Sequence, residues 1–170
     1  MINTVEEFDN VFDEEDVKTI SKKIDEAEWK FGHSGIYNTH RVFWFHQLLQ
    51  DPFFSTNLFD KVQFKIGAQC KLRRVFANGQ TYGQDGDWHT DSLEENQYTF
   101  VYYANKEWKP YWGGETSFQI DNKIVSVPFK YNKGIFFPSN MSHCGKAPSR
   151  ECFKLRVTIA FHFKIINWLR

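Results

Sequence analysis

The chain has 170 residues, 41% of them apolar and 18% aromatic, enough ring surface for a packed core, which argues against disorder. Its 21 Lys and Arg balance 21 Asp and Glu, so no net field favours nucleic acid or an anionic membrane as a partner. The acidic start MINTVEEFDNVFDEED lacks a secretory pattern, no run approaches the roughly 18 apolar residues of a membrane span, and Cys70, Cys144 and Cys152 show no CxxC spacing, so a cytoplasmic protein with free thiols is expected.

The first third, residues 1–67, is expected to be a helical support region. Asp13 can cap a helix that places Val17, Ile20, Ile24 and Ala27 on one face. Phe12 and Val17 stand at staple positions, and Gly32 is the expected stop. A second helix follows from Asp51 as cap and Pro52 in the first turn. It carries Leu58, Phe59, Val62 and Ile66 on one face and ends at Gly67. Both helices are read as scaffold, and His33, His40 and His46 as surface or packing residues.

After Gly67 the texture changes to short β-rich runs between turn signals, at 69–77, 88–91, 97–104, 115–120, 124–128, 134–137, 143–147 and 153–164. Eight such runs suit a double-stranded β-helix, or jelly roll, over 68–164, within one domain spanning 1–170. The fold class expected is therefore mainly β with N-terminal helices. The run QYTFVYYA is apolar or aromatic on both faces, as a central strand would be. The loop NGQTYGQDGDW (78–88) reads either as a lid over substrate or as a long hairpin loop, with Asp85 and Asp87 solvated. Gly113-Gly114 suits a tight turn or a close backbone approach, Glu115 a structural carboxylate, and Cys144 core packing.

Chemistry enters at WHTDS. Residues i and i+2 of a strand share a face, so His89 and Asp91 project side by side. Two ligands bind a metal weakly, and His143 in PSNMSHCG is the best third. Two His and one carboxylate leave positions open on an octahedral metal, as in iron(II) oxygenases, whereas zinc hydrolases prefer tetrahedral sites. In the last run, LRVTIAFHF, Arg156, Thr158, Ala160 and His162 share one face, and Leu155, Val157, Ile159, Phe161 and Phe163 share the other. The apolar side would pack against the helices and the Arg156 side would face a cavity. A buried Arg needs an anion: a bound carboxylate, or an Asp or Glu from another strand.

The stretches HTD (89–91), YYANKEW (102–108), WGGETSF (112–118) and GIFFPS (134–139), with His143 and then Arg156 thirteen residues later, resemble the catalytic core of the Fe(II)/2-oxoglutarate-dependent dioxygenases. They are most similar to the prolyl hydroxylase branch. The resemblance runs from about Gly67 to Phe163. It implies that His89, Asp91 and His143 are metal ligands, that Arg156 and Thr158 bind the distal carboxylate of 2-oxoglutarate, and that Tyr103 is either a further hydroxyl on that group or a core aromatic. Phe76 stands where the branch often has a tyrosine, with Asn78 or Tyr82 as substitutes, and Lys154 is the rival to Arg156. Implied cofactors are Fe(II), 2-oxoglutarate as co-substrate and O2, with ascorbate as an optional reductant. The implied reaction hydroxylates a C–H bond, on a prolyl residue of a peptide or protein by resemblance, with succinate and CO2 as co-products. A free amino acid or other small molecule is the alternative substrate. A metal-binding jelly roll with isomerase or hydrolase chemistry, and a non-enzymatic binding module, are the competing classes. Nucleic acid and membrane are not expected partners, and the oligomeric state is unreadable.

Overall fold

In the computed structural model, which describes residues 4–37 and 39–169, antiparallel strands form two facing sheets. The first three residues of the acidic start lie outside the described part. Strand β1 (Glu6–Phe8) precedes helix α1 (Glu14–Asp25), and β2 (Lys30–His33) and β3 (Phe43–Gln47) follow it. A π-helical turn (Phe53–Leu58) runs into helix α2 (Phe59–Ile66). Then come β4 (Ala68–Gln80), β5 (Gln97–Tyr103), β6 (Thr116–Ile120), β7 (Lys123–Val127), β8 (Gly134–Pro138), β9 (His143–Gly145) and β10 (Arg156–Trp168). The large sheet has the order β1-β8-β5-β10-β4-β3-β2, and the small one β7-β6-β9. This is the expected jelly roll. No helix among the described residues is long and apolar enough to cross a membrane, and the three cysteines are free.

The first helix starts as the sequence indicates, and the second opens after Asp51, which accepts from the Phe53 N–H at 2.9 Å, but as a π-helical turn that becomes α-helical only at Phe59. Asp13 accepts a hydrogen bond from the Asp16 N–H at 2.9 Å, a cap worth about 1 kcal/mol. The second helix ends at Gly67, whose left-handed φ of 65° few other residues adopt without strain. Three expectations are corrected. Helix α1 stops at Asp25, so Ala27 lies beyond it, and Gly32 belongs to strand β2 rather than ending a helix. The first third is not wholly helical, since β1, β2 and β3 all join the large sheet. The run 88–91 is not a strand; His89 makes only an isolated bridge to His143.

The large sheet separates two cores. On one face Val157, Ile159, Phe161 and Phe163 of β10 pack with Ile20, Ile24, Leu58 and Val62 of the helical layer. On the other, Phe76, Val101, Tyr103 and Ala160 meet Phe118 and Val127 of the small sheet. Strand β5 is buried along its whole length, with Tyr98, Phe100 and Tyr102 on the helical side and Val101 and Tyr103 on the other. In the β4–β10 ladder His162 pairs with Arg74 but Phe163 pairs with Leu72. Arg73 is therefore the extra residue of a β-bulge. Beyond it the side-chain alternation switches parity, so that Leu72 and Cys70 pack against the helical core while Arg74 and Phe76 keep to the opposite face.

Candidate active site

Between the sheets lies a cavity whose floor is the paired centre of β4 and β10. Arg156, Thr158, Ala160 and His162 line it from β10, and Gln80, Asn78, Phe76 and Arg74 line it from β4. Each faces its ladder partner in that order, Arg156 opposite Gln80 through to His162 opposite Arg74. The alternation in LRVTIAFHF thus places four side chains in the cavity, as expected.

The small sheet and its approach segment supply the ceiling. His89 N–H donates to the His143 carbonyl at 3.0 Å, and His143 N–H returns the bond at 2.9 Å, which locks the HTD segment beside β9. Asp91 N–H is held by the Ser139 carbonyl at 2.8 Å. His89 Nε2 lies 3.5 Å from Asp91 Oδ1, and His143 Nε2 lies 3.6 Å from Asp91 Oδ2. One ligand atom from each of the three falls within 4.8 Å of the others, a set able to hold a metal ion. His89 Nδ1 sits 2.9 Å from the Asp87 carbonyl, and His143 Nδ1 2.9 Å from the Met141 carbonyl. A carbonyl only accepts, so each Nδ1 carries the proton and each Nε2 lone pair faces the centre. Asp91 Oδ2 also accepts from Thr99 Oγ1 at 2.6 Å.

Asp91 and His143 hold the charge states that ligation needs. Burial alone would raise the Asp91 carboxyl, but the His89 hydrogen bond, His143, His162 and Thr99 hold it well below the usual carboxylate range. Burial lowers His143, only partly offset by Asp91, so its imidazole stays neutral. His89 is shifted upward: burial opposes protonation, but the bonds to Asp91 and the Asp87 carbonyl prevail.

Deeper in the cavity Arg156 is 1% exposed. Its Nε donates to the Gly114 carbonyl at 2.7 Å, Nη1 to Gln80 Oε1 at 2.6 Å, and Nη2 approaches Thr116 Oγ1 at 3.4 Å. Among the described residues no carboxylate forms an ion pair with it, so the reading in which Asp or Glu neutralises it finds no partner. A Cβ on Gly114 would stand 3.2 Å from Arg156 Cδ, and φ there is 81°; glycine gives the backbone both the turn and the close approach. Thr158 lines the same space, and Asn78 contributes a buried Oδ1 that meets no donor among the described residues. Tyr103 is fully buried and stacked on Phe129 at 4.2 Å between centroids. Its hydroxyl lies 2.9 Å from both Thr116 Oγ1 and the Val127 carbonyl, and accepts from the Thr116 N–H.

Other expected positions fall outside the cavity. Lys154 is turned to Glu107 at 2.7 Å on the surface, and Tyr82 is 63% exposed. The loop after β4 is anchored: Gly86 N–H donates to the Gly145 carbonyl and Asp85 Oδ1 accepts from Ala147 N–H. Asp87 is not solvated as expected, because it accepts from Thr39 Oγ1 at 2.6 Å and pairs with Arg41 at 3.5 Å. Two residues were missed. His162, placed on the cavity face but given no role, has Nε2 3.8 Å from Asp91 Oδ2, and burial drops its pKa to about 4. His33 packs on Phe45 at 4.4 Å and also lines the cavity. Beside it a Cβ on Gly35 would fall 2.9 Å from the His89 ring, so this segment lies directly over a metal-site histidine.

The family model of the 2OG-Fe(II) oxygenase superfamily matches residues 75–164, just over half of the chain. No curated protein matches the sequence. The fold is similar to that of a prolyl hydroxylase from Trichoplax adhaerens in complex with a hypoxia inducible factor peptide fragment. The TM-score is 0.71 at 14% identity, over 95% of this chain and 84% of that one. A Pseudomonas putida prolyl-4-hydroxylase gives 0.69 at 14% identity, over 95% and 92%. HygX from Streptomyces hygroscopicus, with nickel, 2-oxoglutarate and hygromycin B bound, gives 0.70 at 10% identity, over 95% and 83%.

Proposed function

This chain belongs to the 2OG-Fe(II) oxygenase superfamily, and on that premise we propose that it is a working dioxygenase that hydroxylates a C–H bond. In this reading His89, Asp91 and His143 hold Fe(II), and Arg156 holds the distal carboxylate of 2-oxoglutarate. The observation that carries the reading is the pairing of two features in one cavity: an ionised Asp91 flanked by the His89 and His143 imidazoles, and a buried guanidinium that pairs with no carboxylate among the described residues. The first fits a divalent metal with positions left open. The second fits a bound dicarboxylate, since a buried Arg lacking an anion costs several kcal/mol.

The chain's own residues divide the work. The Asp87 and Met141 carbonyls fix the imidazole tautomers, and Thr99 fixes one oxygen of Asp91. Gln80 and the Gly114 carbonyl orient the Arg156 fork, leaving N–H donors for a carboxylate. Thr158 and Asn78 add polar contacts along the same wall. Tyr103 acts through Thr116, whose hydroxyl it shares with Arg156. When bound, iron with 2-oxoglutarate and O2 supplies the oxidising chemistry that yields succinate, CO2 and a hydroxylated product. The substrate proposed is a prolyl residue of a peptide or protein, supported by the prolyl hydroxylases among the structural neighbours. HygX, whose structure holds hygromycin B, favours keeping a small-molecule substrate as the second reading. Residues 68–164 would form the catalytic core and 1–67 its support, together one domain.

The test is succinate formation with iron(II) and 2-oxoglutarate across a panel of proline-containing peptides and free amino acids. Stimulation by a prolyl peptide is the expected result. Stimulation by small molecules alone would move the substrate to the second reading, and absence of turnover and of 2-oxoglutarate binding would overturn the enzyme assignment.

A further inference from the structure

We propose that the outer end of the cavity is a carboxylate-binding subsite built on Arg74, so that this enzyme takes substrates bearing a carboxylate close to the C–H bond that reacts. The proposal rests on the oxygenase reading above and adds to it the chemical class of the substrate.

Two consecutive arginines carry the argument. Arg73, the bulge residue, pairs with Glu94 at 3.1 Å. Arg74 keeps to the cavity face, and among the described residues no carboxylate forms an ion pair with it. Its guanidinium lies 4.8 Å from the centroid of the Phe76 ring. Stacking of this kind satisfies the face of the guanidinium and leaves its N–H edges free, which is the geometry a carboxylate needs. The bulge holds it there, since its register is tied to His162 across the ladder.

Position along the floor separates this arginine from the other. Arg156 begins β10 and Arg74 sits at the middle of β4, six residues apart on the ladder, about 20 Å at roughly 3.3 Å per residue. Asp91 stands at the Arg74 end, against His162. One guanidinium is thus set deep for the co-substrate, and the other is exposed on the rung of His162, beside the metal-site end of the floor, where a substrate arriving from outside would place its own anion.

Charge points the same way. Among the described residues lining the cavity, Asp91 is the one carboxylate, against two arginines. A divalent metal and doubly charged 2-oxoglutarate cancel each other, and Asp91 cancels one guanidinium. One positive charge is left over, and with Arg156 buried for the co-substrate the exposed Arg74 is the one free to take a substrate's anion. Around it His33 and Phe76, whose rings lie 6.0 Å apart, offer ring surface to the apolar body of a small residue. A free amino or imino acid, a chain-terminal residue and an acidic side chain beside the target would each present the required group.

The experiment uses the iron(II)-loaded protein saturated with 2-oxoglutarate under nitrogen. Calorimetry measures binding of the N-acetyl amino acids as free acids and as carboxamides, Asp and Glu amides included, together with the free amino acids. The expected result is that the tightest ligands carry a carboxylate and that Arg74→Gln weakens them about ten- to a hundred-fold. Arg73→Gln and the 2-oxoglutarate affinity of both variants should match wild type. The amide and free amino acid arms identify whether an α-carboxylate or a side-chain carboxylate is bound. Equal binding of acids and amides, no binding by any acid, or unchanged affinity in Arg74→Gln would overturn the subsite while leaving the oxygenase reading intact. Failure of the wild type to bind 2-oxoglutarate would overturn both.

Discussion

The two faces of strand β10 differ in what they do for the molecule. Val157, Ile159, Phe161 and Phe163 are sealed against the helical layer, and that burial stabilises the fold. One residue along in each case, Arg156, Thr158 and His162 line a cavity and bury a guanidinium that pairs with no carboxylate among the described residues. Burying that charge costs stability, so its retention is best explained by a ligand. Continuous packing marks the scaffold, where the Tyr102 hydroxyl is also buried without a partner, and a buried guanidinium beside the unpartnered Asn78 Oδ1 marks the site.

Variants on the two faces should therefore separate stability from binding. Removing the carboxylate at the centre of the triad has the largest expected effect: Asp91→Ala should abolish iron(II) binding or nearly so, read by anaerobic titration of the folded variant, because both the charge and the facial geometry are lost. On the apolar face, Phe161→Ala should cost about 3–5 kcal/mol of stability by denaturant unfolding, with 2-oxoglutarate affinity of the folded fraction unchanged. On the cavity face, Arg156→Ala should lower 2-oxoglutarate affinity by about 2–5 kcal/mol and leave iron binding intact. Arg156→Lys should recover only part, since lysine lacks the fork.

His162 gives a test by pH. Its ordinary value is 6.5 and burial drops it to about 4, so in that interval the unfolded chain binds the proton more readily than the folded one. Stability of the metal-free protein should fall as pH drops from 6.5 towards 4, and His162→Phe should flatten that slope in unfolding curves. The smallest effect belongs to Tyr103→Phe. It keeps the ring on Phe129 and removes a hydroxyl that reaches Arg156 only through Thr116, so a loss of about 1 kcal/mol in 2-oxoglutarate affinity is expected. An unchanged affinity with an intact fold would make Tyr103 a packing residue alone.

Much of this division was legible in the residues. Alternation in LRVTIAFHF separated the two faces because β10 is a central strand with different surroundings on each side, and the resemblance of HTD, His143 and Arg156 to known oxygenases supplied the candidate roles. Strands β2 and β3 were not legible. They lie at the edge of the large sheet and owe their conformation to pairing with β4 more than to local pattern. With them went His33 and the segment over His89. The bulge at Arg73 was equally hidden, because a parity switch follows from the ladder and not from the composition of one strand. The site was therefore readable at its deep end and unreadable at its mouth.

The central claim is that one cavity holds a metal at the His89–Asp91–His143 cluster and 2-oxoglutarate on Arg156 together. The most direct measurement is a 2-oxoglutarate titration of the wild-type protein under nitrogen, with and without iron(II), following the metal-to-ligand absorption. One equivalent of 2-oxoglutarate should bind, and the absorption should appear only when iron is present. No absorption and no binding at any 2-oxoglutarate concentration in the iron-loaded protein would contradict the account.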